Sequence, residues 1–173
     1  MARTRILTGS PAPRTSRTGR VVRAWRALPP ERRLAATTSI ALFFTLFLPW
    51  YRETVVTAGK INSVALTGWN AFSFVEAAVL VVAAAVLTLL FERAEGRAFH
   101  LPGGDGWVVT AAGLWTCVLV VWRILDKQGA QVTGPGAAVS GVEWGIFIAL
   151  AVAAGLAYAG NRMRTAATPE PPL

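Results

Sequence analysis

Hydrophobic positions gather into four long runs, 34–50, 69–91, 107–125 and 142–158, separated by polar segments rich in Gly, Pro or Arg. At 1.5 Å per residue these runs reach roughly 25, 34, 28 and 25 Å, against a hydrocarbon core of about 30 Å. The pattern predicts an all-α membrane protein, a four-transmembrane-helix antiparallel bundle. The first run is the least apolar, because it contains Thr37, Thr38, Ser39 and Thr45. A cleaved signal peptide is its rival reading, with Val56-Thr57-Ala58 as a loose small-x-small site. The long basic segment before it and Pro49-Trp50-Tyr51 at its end argue against that.

Aromatic residues cluster where the runs end. Trp50, Tyr51, Trp69, Trp122 and Trp144 fall at one end of the four runs, and Trp107 and Tyr158 at the other. Amphipathic rings favour the headgroup level, so anchoring is expected to account for most of the tryptophans. The segments between the runs differ in kind. Thr54-Val55-Val56-Thr57 and Ile61-Asn62-Ser63-Val64-Ala65-Leu66, separated by Ala58-Gly59-Lys60, predict a small extracytoplasmic β-hairpin. Ala130-Gln131-Val132-Thr133 is a candidate further strand. The stretch Leu101-Pro102-Gly103-Gly104-Asp105-Gly106 lacks the Lys-Ser/Thr of a phosphate-binding loop and reads as a helix-connecting turn, with Asp105 as a helix N-cap.

Charge sets the orientation. Nine arginines precede the first run, Arg93 and Arg97 follow the second, and Arg162 and Arg164 follow the fourth. The opposite segments hold Arg52, Lys60 and Lys127, with Arg123 at the end of the third run. Basic loops stay on the cytoplasmic side, so both termini are expected in the cytoplasm and the protein in the cytoplasmic (inner) membrane. Residues 1–19 should form a disordered basic tail and residues 20–28 an interfacial amphipathic helix. There Arg20, Arg23 and Arg26 face anionic lipid and Trp25 dips into the headgroups. The membrane domain is then 34–160, followed by a cytoplasmic tail over 161–173.

Composition narrows the chemistry. The 173 residues are 54% hydrophobic and only 15% charged, with a mean hydropathy of +0.48. Soluble domains average about 25% charged residues, so an ordinary soluble domain is excluded. One Cys, Cys117, excludes an intramolecular disulfide and a thiolate zinc cluster, and one His, His100, excludes a His-rich metal centre. No Ser–His–Asp or Cys–His arrangement is available. No catalytic residue, cofactor or metal is therefore expected. The net charge of +8 points to the lipid bilayer, with anionic lipids at the N-terminal tail. Nucleic acid is not expected as a partner, since no nucleic-acid-binding fold accompanies the basic tail.

A few residues are out of place for a plain lipid-embedded helix. Glu76 lies about two turns into the second run, with Ser73 one turn away on the same face. An ionisable side chain inside a span is costly and turns toward the bundle interior. Arg123 and Glu143 stand at the same end, so a Glu76–Arg123 or Glu143–Arg123 pair is geometrically open. Glu76, Arg123 and Glu143 form the candidate intramembrane polar site, a ligand or proton site on one reading and a helix-helix polar contact on the other. Gly141, Gly145, Ala149, Ala153 and Ala157 recur every four residues and make a candidate helix-packing face, for another helix of this chain, a second copy, or a membrane-protein partner.

Leu48-Pro49-Trp50-Tyr51 and Gly68-Trp69-Asn70-Ala71-Phe72 resemble the corresponding segments of a family of small, uncharacterised four-helix integral membrane proteins of high-GC bacteria. The resemblance covers the four runs and not the tail. It implies a fold and a location, and no activity. The expected role is that of a non-enzymatic accessory, scaffold or regulatory membrane protein. The alternative is an oligomeric small transporter or channel subunit using Glu76 and Arg123.

Overall fold

In the computed structural model the described residues are 19, 22, 25, 26, 28–57, 60–97, 103–126 and 137–167. They form four helices, α1 (Pro30–Thr45), α2 (Phe74–Ala94), α3 (Gly104–Leu125) and α4 (Trp144–Ala167), and three strands, β1 (Pro49–Thr57), β2 (Lys60–Thr67) and β3 (Ala137–Val142). The chain is thus mostly helical but not all-α.

Each helix boundary has a local cause. Pro30 occupies the first helical position of α1, where its missing N–H costs nothing. Pro49 disfavours helical backbone in the residue before it, and α1 stops at Thr45, short of the run's apparent end. Ser73, in extended backbone, caps α2, and Glu76 at the third helical position accepts the Ser73 backbone N–H at 2.9 Å. Residues 69–73 consequently lie outside α2, and Glu76 sits in its first turn rather than two turns inside. Gly103 and Gly104 have φ of +79° and +80° and bring the chain into α3, a conformation that side chains resist. The cap of α3 is Gly103 and not Asp105. Asp105 lies in the first turn and accepts from Arg93 Nη2 at 2.7 Å and from Arg32 Nη2 at 3.3 Å. Helix α4 continues to Ala167, so the expected tail at 161–173 begins as helix, with Met163 buried.

The three strands make one antiparallel sheet in the order β2-β1-β3. Tyr51 faces Leu66 on one side and Val142 on the other. The expected hairpin is present, with a third strand added on its far side. That strand is 137–142; the candidate strand at 130–133 lies outside the described residues. Both connections that carry strands, α1 to α2 and α3 to α4, are at the same end of the helices. The helices therefore alternate in direction, with a sheet end and an arginine end. Around the bundle α1 packs on α2 and α4, and α3 packs most closely on α4, while the α2–α3 seam is the loosest.

The core runs the length of the bundle, from Leu90 and Val109 through Leu42, Val79 and Ala153 to Trp50 and Ile146 under the sheet. Trp50 is fully buried and Tyr51 is 6% exposed, so neither is an interfacial anchor. Because α1 ends early, the chain folds back and Trp50 Nε1 donates to the Thr45 carbonyl at 2.7 Å. Trp69, Trp107, Trp122, Trp144 and Tyr158 are exposed. Three helices, Phe74–Ala94, Gly104–Leu125 and Trp144–Ala166, are long and apolar enough to cross a membrane. Only 33%, 33% and 44% of those spans is buried within the protein. The other residues of these spans are partly or fully exposed, which leaves apolar surface on the outside of the bundle. Helix α1, with 16 residues, reaches roughly 24 Å.

Candidate functional site

The buried charges of the described residues meet at the sheet end of the α2–α3 seam. Glu76 is fully buried and Arg123, one turn from the end of α3, is 4% exposed. Arg123 Nε donates to Glu76 Oε1 at 3.2 Å. The Tyr51 hydroxyl, brought in by β1, donates to the same oxygen at 3.2 Å. The other carboxylate oxygen, Oε2, accepts the Ser73 backbone N–H and the Ser73 hydroxyl. The Arg123 guanidinium lies over the Tyr51 ring, 5.1 Å from its centroid, within reach of a cation–π attraction. Burial pushes the Tyr51 phenol well above its ordinary range, and the nearby Glu76 charge adds to the rise while Arg123 opposes it.

This arrangement satisfies the carboxylate and leaves the cation short. Glu76 accepts four hydrogen bonds, from Arg123 on α3, Tyr51 on β1 and, twice, Ser73 at the cap of α2. Arg123 Nη2 is buried with no hydrogen-bond partner among the described residues. Unpartnered buried donors are rare and carry a desolvation penalty. Arg123 also forms part of the wall of a surface cavity of about 500 Å³, with Phe74, Val75, Trp115, Trp122 and Asp126.

Glu143 does not join this cluster. It pairs with Arg52 at 2.5 Å, tying the β3–α4 junction to β1, while its backbone N–H donates to the Trp50 carbonyl at 2.8 Å. Four members of the small-residue face, Gly145, Ala149, Ala153 and Ala157, lie on α4 and are buried within the chain. Gly141 lies in β3 and is not part of that helical face. A Cβ on Gly145 would stand 2.3 Å from the Pro49 carbonyl oxygen. The close α3–α4 approach rests on glycines that the spacing argument overlooked. A Cβ on Gly113 would meet the Ala157 backbone nitrogen at 2.4 Å, and one on Gly160 the Thr110 nitrogen at 2.3 Å. Gly106 and Gly113, seven residues apart on one face of α3, were the available signal. At the N-terminal segment Trp25 and Arg26 are exposed with helical backbone. Arg20, Arg23 and the tail over 1–18 lie outside the described residues, as does His100.

Among the described residues no group of three His, Cys, Asp or Glu side chains could hold a metal ion. Comparison with protein-family models, curated proteins and solved structures returns no match for this chain, so geometry alone supports a functional reading.

Proposed function

We propose that the chain is a multi-pass protein of the cytoplasmic membrane with four transmembrane helices, both termini cytoplasmic, and a non-enzymatic accessory, scaffold or regulatory role. The single observation that carries this reading is the Glu76–Arg123–Tyr51 cluster. Its charges neutralise each other across the helix seam instead of lining a continuous polar path. A buried pair of this kind fixes how elements meet, as a register device does, more than it adds net stability. The outward apolar surface of α2, α3 and α4 supports lipid or helix contact as the working surface. The crowding of arginines at the end opposite the sheet supports the orientation. Helix α1 is short for a span. Leu46–Leu48 continue its apolar end in a turn, and its packing against α2 and α4 supports its inclusion as the fourth span.

Two measurements test the reading. In a Cys117→Ala background, single cysteines at Asn62 and at Thr165 are treated with a membrane-impermeant thiol reagent. Labelling of Asn62→Cys from outside intact cells, and of Thr165→Cys only after permeabilisation, is expected. The reverse pattern overturns the orientation. Native mass spectrometry after gentle extraction then reports stoichiometry and retained partners. A heteromeric complex supports the accessory role. A homo-oligomer whose ion or proton flux in liposomes disappears in Glu76→Gln overturns it in favour of a transporter or channel subunit.

A further inference from the structure

Arg123 Nη2 is a buried donor without an acceptor among the described residues, and Arg123 lines a cavity whose composition suits one kind of ligand. The wall is apolar over Phe74, Val75, Trp115, Val118 and Leu119, with Asp126 as its carboxylate, exposed at the C-cap of α3. About 500 Å³ is within the range of small-molecule and lipid pockets. A neighbouring cavity of about 390 Å³ shares Trp115 and Val118 and extends toward Trp107 and Arg164. From Arg123 to Trp115 the helix rises about 12 Å, close to the depth of one leaflet of a roughly 30 Å hydrocarbon core.

We propose that this groove is a binding site for a zwitterionic, amine-bearing glycerophospholipid of the phosphatidylethanolamine type. A phosphate oxygen accepts from the Arg123 guanidinium, whose buried Nη2 turns toward the cavity to meet it, the primary ammonium pairs with Asp126, and an acyl chain lies along Trp115 and Val118. Charge selects this lipid. The Arg123 charge is already balanced by Glu76, so among the described residues of the site the Asp126 carboxylate is left as the uncompensated charge. That carboxylate repels a purely anionic headgroup and attracts one that brings its own cation. The position is also right: Arg123 and Glu76 each lie within one turn of a helix end, which on the membrane reading is headgroup height rather than mid-bilayer. The inference rests on the membrane reading above.

The test uses the full-length protein, purified in detergent, stripped of lipid, and offered dioleoyl phosphatidylethanolamine or dioleoyl phosphatidylglycerol. Retained lipid is counted by native mass spectrometry. The wild type should retain about tenfold more of the ethanolamine lipid, the ratio that one charge-assisted hydrogen bond supports. Asp126→Asn, at an exposed position, should erase that preference. Val118→Trp, which fills the exposed groove without touching the ion pair, should reduce retention of both lipids. Equal retention of the two lipids by the wild type, or a preference untouched by Asp126→Asn, overturns the proposal. Alkaline carbonate extraction of the source membranes separates the two levels. Release into the supernatant overturns the membrane reading itself. A protein that stays in the pellet yet shows no preference overturns only the lipid site.

Discussion

The backbone nitrogen of Ala157 stands where the side chain of Gly113 would otherwise be, 2.4 Å from an ideal Cβ. Helices α3 and α4 meet backbone to backbone at this point, and no side chain can yield to make room. Gly113→Ala should therefore push the helices apart, with a loss of about 1–3 kcal/mol typical of overpacking. Gly155 is the control. A Cβ there meets only a Thr38 methyl at 3.5 Å, an ordinary contact. Removing a mid-helix glycine gains up to about 1 kcal/mol, so Gly155→Ala should be neutral or stabilising. Thermal unfolding of both variants in one detergent reads the contrast. Equal effects would mean that the close approach does not govern stability.

Glu76 and Arg123 should behave as a unit. Arg123→Ala leaves a buried carboxylate facing Tyr51 and Ser73, and Glu76→Ala leaves a buried guanidinium. Breaking a buried pair from one side costs about 3–5 kcal/mol. The double variant Glu76→Leu/Arg123→Leu removes both charges and should recover much of that loss. A double-mutant cycle on melting temperature checks it. Additive losses would mean that the two side chains are not coupled, and that Arg123 reaches the headgroups by snorkelling instead.

The architecture was legible in the chain to different depths. Four apolar runs became four helices, because runs of that length bury or embed their backbone only as helix. Glu76 and Arg123 stood out because ionisable residues are rare in such runs, and the structure brings them together. The boundaries were less legible. Ser73 and Glu76 carry the S-x-x-E spacing of a helix start inside the second run, and that local signal, not the onset of hydrophobicity at Trp69, marks where α2 begins. Trp50 and Tyr51 were misplaced for a different reason. An aromatic at the end of an apolar run suits a headgroup interface and a buried core equally well, and only the fold-back of the chain after Thr45 into β1, the central strand of the sheet, decides between them. Strand β3, Ala-Ala-Val-Ser-Gly-Val, has weak intrinsic β preference, and its pairing with β1 is a tertiary effect.

The Arg52–Glu143 pair offers a contrast with the buried one. Arg52 is 57% exposed and Glu143 17%, so water and salt screen the attraction. Arg52→Ala is expected to cost at most about 1 kcal/mol, less at high ionic strength. Measuring the melting temperature at low and at high salt separates the two pairs. The Arg52 effect should fade with salt, and the Arg123 effect should persist.

Tyr51 gives a spectroscopic handle on the cluster. The chain has two tyrosines, Tyr51 and Tyr158, and Tyr158 is exposed, so Tyr158→Phe leaves Tyr51 as the only phenol at little structural cost. Burial, reinforced by the Glu76 charge, raises the Tyr51 phenol above its unfolded value. A raised folded value means that the neutral phenol is the form the fold favours. Its contribution to stability is complete below the unfolded value of about 10 and declines as pH rises above it. In Tyr158→Phe protein the phenolate absorbance should stay absent across about pH 9–11, where a free phenol ionises, and should develop only as the protein unfolds. Adding Glu76→Gln removes the Glu76 charge from the causes of the rise and should bring ionisation to lower pH. A Tyr158→Phe protein that titrates like free tyrosine while its far-ultraviolet circular dichroism remains native would place Tyr51 in water, outside the cluster.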